Sequence, residues 1–116
     1  MAMENIKGLS ELLKASIDKE TKNAEIGFIA VGVNGINYKI IRNDVMTILN
    51  TPDLNDVSID LKGIKPTIYL DKLVDEAYRL NPRIVLVNCS PQTRQYITQR
   101  MLKDKYKFKI EEQKYN

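Results

Sequence analysis

The turn that follows residue 87 carries the side chains best suited to bind a ligand. Asn88, Cys89 and Ser90 come directly after an aliphatic run, and Gln92 and Arg94 follow within the next turn of chain. Open α/β sheets bind ligands at the carboxyl ends of parallel strands, and the free N–H groups of a helix N-terminus can hold an anion. Asn88, Ser90, Gln92 and Arg94 are therefore the candidate anion- or ligand-binding residues. The simpler alternative, which we favour, is a helix start that Ser90 caps.

The residue types needed for catalysis are almost missing. The sequence contains no histidine, which removes the commonest general base and the commonest metal ligand together. Cys89 is the single cysteine, and the sequence places no base beside it, so a structural role is expected. The five scattered glycines form no phosphate-binding loop. We therefore predict that the protein is not an enzyme and has no catalytic residue, no metal and no cofactor.

Composition sets limits on the class of protein. A chain of 116 residues with 43% hydrophobic and 28% charged residues is typical of one globular domain rather than of a disordered chain. No apolar run approaches the roughly 20 residues that a membrane helix needs, so no membrane association is expected. One cysteine and no secretory signal pattern indicate a reducing compartment, and we predict a cytoplasmic location.

The net charge of +3 is too small to indicate nucleic-acid binding by itself. Near the carboxyl terminus, four lysines at 103, 105, 107 and 109 alternate with Tyr106, Phe108 and Ile110. Lysines and aromatic rings on opposite faces of a strand do not form a stacking platform, whereas an edge strand guarded by charge has this pattern. Nucleic-acid binding is kept as a less favoured alternative, and the pattern predicts an edge strand over residues 106–110.

The amino-terminal residues 1–20 predict an amphipathic helix. Ile6, Leu9, Leu13 and Ile17 are spaced by 3, 4 and 4 residues, which places them on one helix face. We expect this helix to pack on its own domain. The alternative is a helix that binds a partner or forms a homodimer.

Residues 26–112 predict a single α/β domain. The apolar run "IGFIAVGV" (26–33), Asn34-Gly35 and the alternating "INYKI" (36–40) indicate a β-hairpin, because Asn-Gly suits the tight turn between two strands. A short helix capped by Asn43 or Asp44 should follow, through Asn50. The remaining elements expected are a strand at 57–61, a helix from its Thr67 cap to about Leu80, a strand at 83–87, and a helix from Ser90-Pro91 to about Lys103. This order predicts a small mixed sheet with parallel crossovers and helices packed on it.

The stretch from Ile36 to Leu102 resembles the STAS family, the domain of sulphate transporters and anti-sigma-factor antagonists. The matching features are a strand that ends in Asp-Leu-x-Gly-Ile (60–64), a helix, a hydrophobic strand that closes in Val-Asn-x-Ser-Pro (87–91), and a helix with an early arginine, Arg94. The resemblance covers roughly two-thirds of the chain. The Asp-Ser-Ser-Gly-like turn of the antagonists is replaced here by "KPTIYLD" (65–71).

The resemblance implies a non-catalytic regulatory module that binds a protein partner, such as an anti-sigma-factor-type kinase. Thr67 lies near the place of the family's phosphorylated residue, so it is the phosphosite candidate, with an ordinary helix cap as the favoured alternative. The implied contact surface is the helix that starts at Thr67, and Tyr69, Asp71 and Lys72 are its expected exposed contacts. A phosphate at a helix N-terminus would be electrostatically favourable.

Overall fold

One mixed sheet and three helices make up the part of the chain that the computed structural model describes, residues 3–101 and 109–110. The elements are β1 (Met3–Asn5), β2 (Leu13–Asp18), β3 (Ala24–Phe28), α1 (Tyr38–Leu49), β4 (Val57–Asp60), α2 (Ile68–Leu80), β5 (Ile84–Val87), α3 (Pro91–Met101) and β6 (Lys109–Ile110). The six strands lie side by side in chain order. The pairs β1–β2 and β2–β3 are antiparallel, and the pairs from β3 to β6 are parallel. The predicted α/β class with a mixed sheet is therefore confirmed.

The order of the strands decides where the helices lie. Parallel neighbours that follow each other in the chain are joined by right-handed crossovers, and successive crossovers in one direction place α1, α2 and α3 on the same face of the sheet. Burial alternates along the strands accordingly, and one core joins that face to the helices. Each fully buried Leu or Ile in it contributes about 1.5–3 kcal/mol relative to exposure. The largest such side chains include Leu13, Ile26, Ile41, Ile48, Ile59, Leu70, Leu86 and Ile97.

The prediction of an amphipathic helix over residues 1–20 is wrong. Those residues contribute β1 and β2 instead, and Gly8 between them adopts the left-handed conformation with φ 85°. Residues four apart share a face in a strand as well as in a helix, so the spacing of Leu13 and Ile17 fits both structures. Leu13 and Ala15 are buried on the core side of the strand, and Lys14 between them is exposed on the other side. The alternative of a homodimer formed through an amino-terminal helix is therefore wrong as well, because these residues form strands.

The hairpin exists, but one element earlier than predicted. It joins β2 to β3, with Leu13 opposite Phe28, and Lys22 in its turn has φ 63°. Asn34-Gly35 does not turn one strand into another. The side chain of Asn34 accepts hydrogen bonds from the N–H groups of Ile36 (2.8 Å) and Asn37 (2.9 Å), and the chain then enters α1. The predicted strand over 36–40 is thus a turn and the start of a helix that begins ahead of the expected cap at Asn43 or Asp44.

The second half follows the prediction closely. Strand β4, helix α2 and strand β5 lie where the sequence places them, and Ser58 and Ile59 pair with Val85 and Leu86 in the neighbouring strand. The last helix starts at Pro91 as expected. Residues 109–110 form a strand beside β5, while the remainder of the predicted edge strand, the end of the last helix at Lys103 and residues 111–112 lie outside the described residues. None of the described helices has the length and apolar character to cross a membrane.

Candidate functional site

Thr67 occupies the N-cap of α2 and joins that helix to the loop of residues 29–37. Its hydroxyl oxygen accepts a hydrogen bond from the N–H of Leu70 at 3.0 Å, which satisfies one free donor of the first turn. The same hydroxyl donates to the carbonyl oxygen of Val33 at 2.8 Å. The candidate phosphosite is thus a helix cap, and its hydroxyl already serves both as a hydrogen-bond donor and as an acceptor.

The loop of residues 29–37 presents large aliphatic side chains to solvent. Val31 is 92% exposed and Ile36 is 93% exposed, although both are hydrophobic. The first turns of the adjoining helices add further exposed hydrophobic residues. Together they form what we call the loop surface, which consists of Ile29, Val31, Ile36, Ile40, Ile68 and Tyr69.

Close contacts hold the loop against the start of α2. A Cβ added to Gly35 would lie 2.9 Å from the hydroxyl oxygen of Tyr69, so a larger residue at position 35 would require this ring to move. The Tyr69 ring in turn lies 6.0 Å from the ring of Tyr38, with the two planes tilted by 47°. The Lys72 ammonium stands 5.3 Å from the centre of the Tyr38 ring, in a cation–π arrangement. The loop is therefore fixed to both helices.

Polar contacts between α1 and α2 lie beneath this surface. The Tyr38 hydroxyl donates to the carboxylate of Glu76, and the guanidinium of Arg42 binds the same carboxylate. Burial and the contact with Glu76 raise the pKa of Tyr38 to about 12. Burial alone would raise the pKa of Glu76, but the hydrogen bonds from Tyr38 and Arg42 and the charges of Arg42 and Lys72 outweigh it and lower that pKa. Glu76 is therefore ionised and Tyr38 neutral at pH 7.

The charge around the loop surface is positive. Lys39 lies in the first turn of α1, Lys65 precedes the cap of α2, and Lys72 follows one turn later, and all three are exposed. Neither Lys39 nor Lys65 pairs with an acidic side chain among the described residues. The amino ends of α1 and α2 add the partial positive charge of their free N–H groups. This surface is suited to an apolar segment with acidic neighbours.

The turn at residues 88–94 is used mainly for structure. Ser90 caps α3 by accepting from the N–H of Thr93 at 3.1 Å, and the Thr93 hydroxyl donates to the carbonyl of Ile64 at 2.9 Å. Asn88, in the left-handed conformation with φ 57°, donates its side-chain amide to Asp60 at 3.1 Å. The predicted ligand residues therefore take part in different contacts. Gln92 and Arg94 are exposed on the first turn of α3, whereas Asn88 points towards β4.

Cys89 is a buried residue of this turn. Burial raises the pKa of its thiol to about 11, and the lowering effect of Arg94 is smaller, while the charge of Asp60 adds to the rise. The thiol is neutral at pH 7 and a poor nucleophile. Within the described ranges, no group of three or more His, Cys, Asp or Glu side chains could hold a metal ion.

The structure brings Thr67, Tyr69 and Lys72 together at the start of α2, whereas Asp71 is half-buried. Sequence reasoning missed both exposed aliphatics: Val31 lies in the apolar run 26–33, which predicts a buried strand, and Ile36 lies in the alternating stretch 36–40, which predicts the second strand of a hairpin. The glycines at 32 and 35 were the available signal of a loop. Comparison with protein-family models and with curated proteins finds no match for the chain.

Proposed function

We propose that this domain is a non-catalytic regulatory module that binds another protein through the loop surface. The occupant that fits is an apolar segment of the partner, flanked by Asp or Glu residues. The resemblance of the sequence to STAS domains supports the same region, because there too the start of the helix after the Asp-Leu-x-Gly strand is the implied contact. By that resemblance the partner is an anti-sigma-factor-type kinase or a related signalling protein.

The observation that carries the proposal is the exposure of the loop aliphatics. Val31 and Ile36 are more than nine-tenths exposed, and both lie in a loop that Thr67 and Gly35 fix in place. Single exposed hydrophobic residues are ordinary on a protein surface, but several in one ordered loop are typical of a binding site. A fixed loop also loses little conformational entropy when a partner binds.

The charge of the surroundings supports an acidic partner. Lys39, Lys65 and Lys72 surround the loop surface, and among the described residues neither Lys39 nor Lys65 forms an ion pair with an acidic side chain. Such a rim raises the association rate of an oppositely charged partner and disfavours a basic one.

Phosphorylation of Thr67 would act directly on this surface. A phosphorylated Thr67 would lose the hydroxyl hydrogen that it donates to the carbonyl oxygen of Val33. The loop would then be released from α2. The phosphate would still be favoured by the helix N-terminus. The modification would thus change the loop surface and could switch partner binding off.

The neutral, buried thiol of Cys89 supports a role without nucleophilic catalysis. The single cysteine, which is buried and forms no disulfide, also supports a cytoplasmic site of action.

A selection of random 12-residue peptides on the immobilised protein tests the proposal. We expect enriched peptides to combine two or more large apolar residues with flanking Asp or Glu. The variant Ile36→Asp should weaken their binding about tenfold to a hundredfold, because one buried aliphatic side chain contributes about 1.5–3 kcal/mol. Thr67→Glu should weaken binding as well if the modification acts as a switch, and unchanged binding would reject that switch.

Leu80→Asp is the matched control. Leu80 is 50% exposed at the far end of α2, away from the loop, so this variant should bind the selected peptides like the wild type. Basic peptides, failure to enrich any peptide, or equal losses in the two Asp variants would reject the loop surface. Concentration-dependent self-association that Ile36→Asp abolishes would show that a second copy is the occupant and would likewise reject the proposed partner.

A further inference from the structure

A polar pocket of about 450 Å³ lies on the face of the sheet opposite the helices. Lys14 of β2, Gly27 of β3 and Asp60 of β4 are paired neighbours and form one row across this face. Ser16, Glu25 and Ser58 form the adjacent row by the same pairing. Asn88, which bonds to Asp60, closes the pocket at the end of β5. Its volume lies within the range of ligand pockets, about 300–1,000 Å³.

Gly27 forms the floor of the pocket. Its backbone does not adopt a positive φ, so the conformation does not require glycine. A Cβ at this position would meet as its nearest neighbours only the flexible stem of Lys14, with Cε at 3.1 Å. Glycine inside a strand is destabilising, and it is often found where a ligand approaches the backbone. Here the missing side chain leaves room for the stem of Lys14, which extends over Gly27 along the row towards Asp60.

Several polar side chains of the pocket have unused capacity to form hydrogen bonds. Neither the ammonium of Lys14 nor the carboxylate of Glu25 has an ion pair or hydrogen bond with another described residue, and the same holds for the Ser58 hydroxyl. Asp60 accepts from the side chain of Asn88 (3.1 Å) and from the N–H of Lys62 (2.9 Å). Both of these bonds reach its Oδ1. Within the described ranges, its Oδ2 accepts none, so it can bind a ligand.

We propose that this pocket binds a small zwitterion of the amino-acid class. The ligand carboxylate pairs with Lys14, and the ligand ammonium lies between Glu25 and Asp60. One positive and two negative side chains give the pocket a formal charge of −1, which favours basic amino acids over acidic ones. The hydroxyls of Ser16 and Ser58 supply hydrogen bonds that tolerate different side chains.

Other ligand classes fit less well. Inorganic phosphate or a nucleotide phosphate would meet two carboxylates and one lysine, so its net electrostatic interaction is unfavourable. A divalent cation would find only two carboxylates, together with the repulsive ammonium of Lys14. The pocket lacks an aromatic side chain for stacking among its described lining residues, which disfavours a nucleobase.

Titration of the ¹⁵N-labelled protein with L-arginine, L-lysine, L-glutamate and inorganic phosphate, followed by amide chemical shifts, tests this site. We expect L-arginine and L-lysine to give saturable shifts at residues 14–16, 25–27, 58–60 and 87–88. Gly27→Val should abolish the saturation, because the added side chain would displace the Lys14 stem from its place over Gly27. Gly32→Val, whose added Cβ would meet nothing within 4 Å, is the matched control and should bind like the wild type.

Lys14→Gln keeps the test informative if Gly27→Val does not fold. It should weaken L-arginine binding about tenfold, since one charge-assisted contact is lost. Ile36→Asp should leave amino-acid binding unchanged, so this site and the loop surface can fail independently. Absence of saturable shifts with both basic amino acids, equal binding of phosphate or L-glutamate, or unaltered binding in Gly27→Val and Lys14→Gln would each overturn the proposal.

Discussion

Where loop 29–37 meets α1 and α2, the polar side chains form hydrogen bonds within the protein. On the open face of the sheet, by contrast, several polar side chains form no hydrogen bond with another described residue. Thr67, Asn34 and Glu76 each make two or more hydrogen bonds at the junction. Lys14 and Glu25, on the open face, form no side-chain hydrogen bond with another described residue. The difference indicates that polar groups at the junction hold an apolar surface in place, while those of the open face remain available to a ligand.

The two regions should therefore respond differently to substitution. A side chain that bonds within the protein contributes to folding, and its removal lowers stability. A side chain that is exposed and unbonded contributes little to folding, and its removal affects binding only. Stability measurements can test this distinction before any ligand or partner is identified.

The largest effect is expected at Thr67. Thr67→Val keeps the shape of the side chain but removes the helix cap and the hydrogen bond to Val33, so we expect a loss of about 1–2 kcal/mol in the free energy of unfolding. For a domain of this size the melting temperature should fall by roughly 4–8 °C. Thr67→Ser, which keeps the hydroxyl, should retain most of the stability. Denaturant unfolding of the three proteins measures this, and an unchanged Thr67→Val protein would contradict the cap.

A smaller effect that depends on pH is expected at the Tyr38–Glu76 contact. The pKa of Glu76 is lowered in the fold, so its stabilisation is present above 4.5, its ordinary value, and is lost as the pH falls through the folded-state pKa. The pKa of Tyr38 is raised from 10 to about 12, so stability is lost as the pH rises through that interval. Glu76→Gln should lower stability at pH 7 but no longer at strongly acidic pH. Tyr38→Phe should flatten the alkaline loss.

Melting temperatures between pH 2 and pH 12 measure both the acid and the alkaline loss of stability. The same acid dependence in wild type and Glu76→Gln would show that this carboxylate is not stabilised by its neighbours. If Tyr38→Phe still loses stability at alkaline pH, that loss belongs to another tyrosine.

The smallest effect is expected on the open face. Ser58→Ala should change the free energy of unfolding by no more than about 0.5 kcal/mol, because the hydroxyl makes no hydrogen bond with the described residues. Chemical denaturation alongside Thr67→Val gives the direct comparison. A loss at Ser58 as large as that at Thr67 would remove the distinction between the two regions.

Local signals predicted the second half of the chain well. Thr67 before an amphipathic stretch, the Asn81-Pro82 stop and the Ser90-Pro91 start each act within a few residues. They place α2 and the start of α3 without knowledge of the rest of the protein. The first half lacked such unambiguous signals. Residues 13 and 17 fit a helix and a strand equally, and Asn34-Gly35 fits a hairpin turn and a helix entry.

The candidate site was predictable only in part. Thr67, Tyr69 and Lys72 could be named because they lie within six consecutive residues at the start of one helix. Val31 and Ile36 could not, since an apolar residue in a loop and one in a buried strand have the same hydrophobicity. Lys14 and Asp60 are 46 positions apart in the chain, and only the pairing of β2, β3 and β4 brings them to one row.

The sequence by itself determined the α/β class, the second-half elements with their caps, and the absence of histidine chemistry, because these depend on composition and on neighbours within a few residues. The tertiary structure decided that residues 13–18 form a strand and that residues 29–33 form a loop in which Ile29 and Val31 are exposed. It also decided which face of the sheet remains without a helix. These outcomes depend on strand pairing between distant segments. The free energy of that pairing exceeds the small local preferences that the sequence displays.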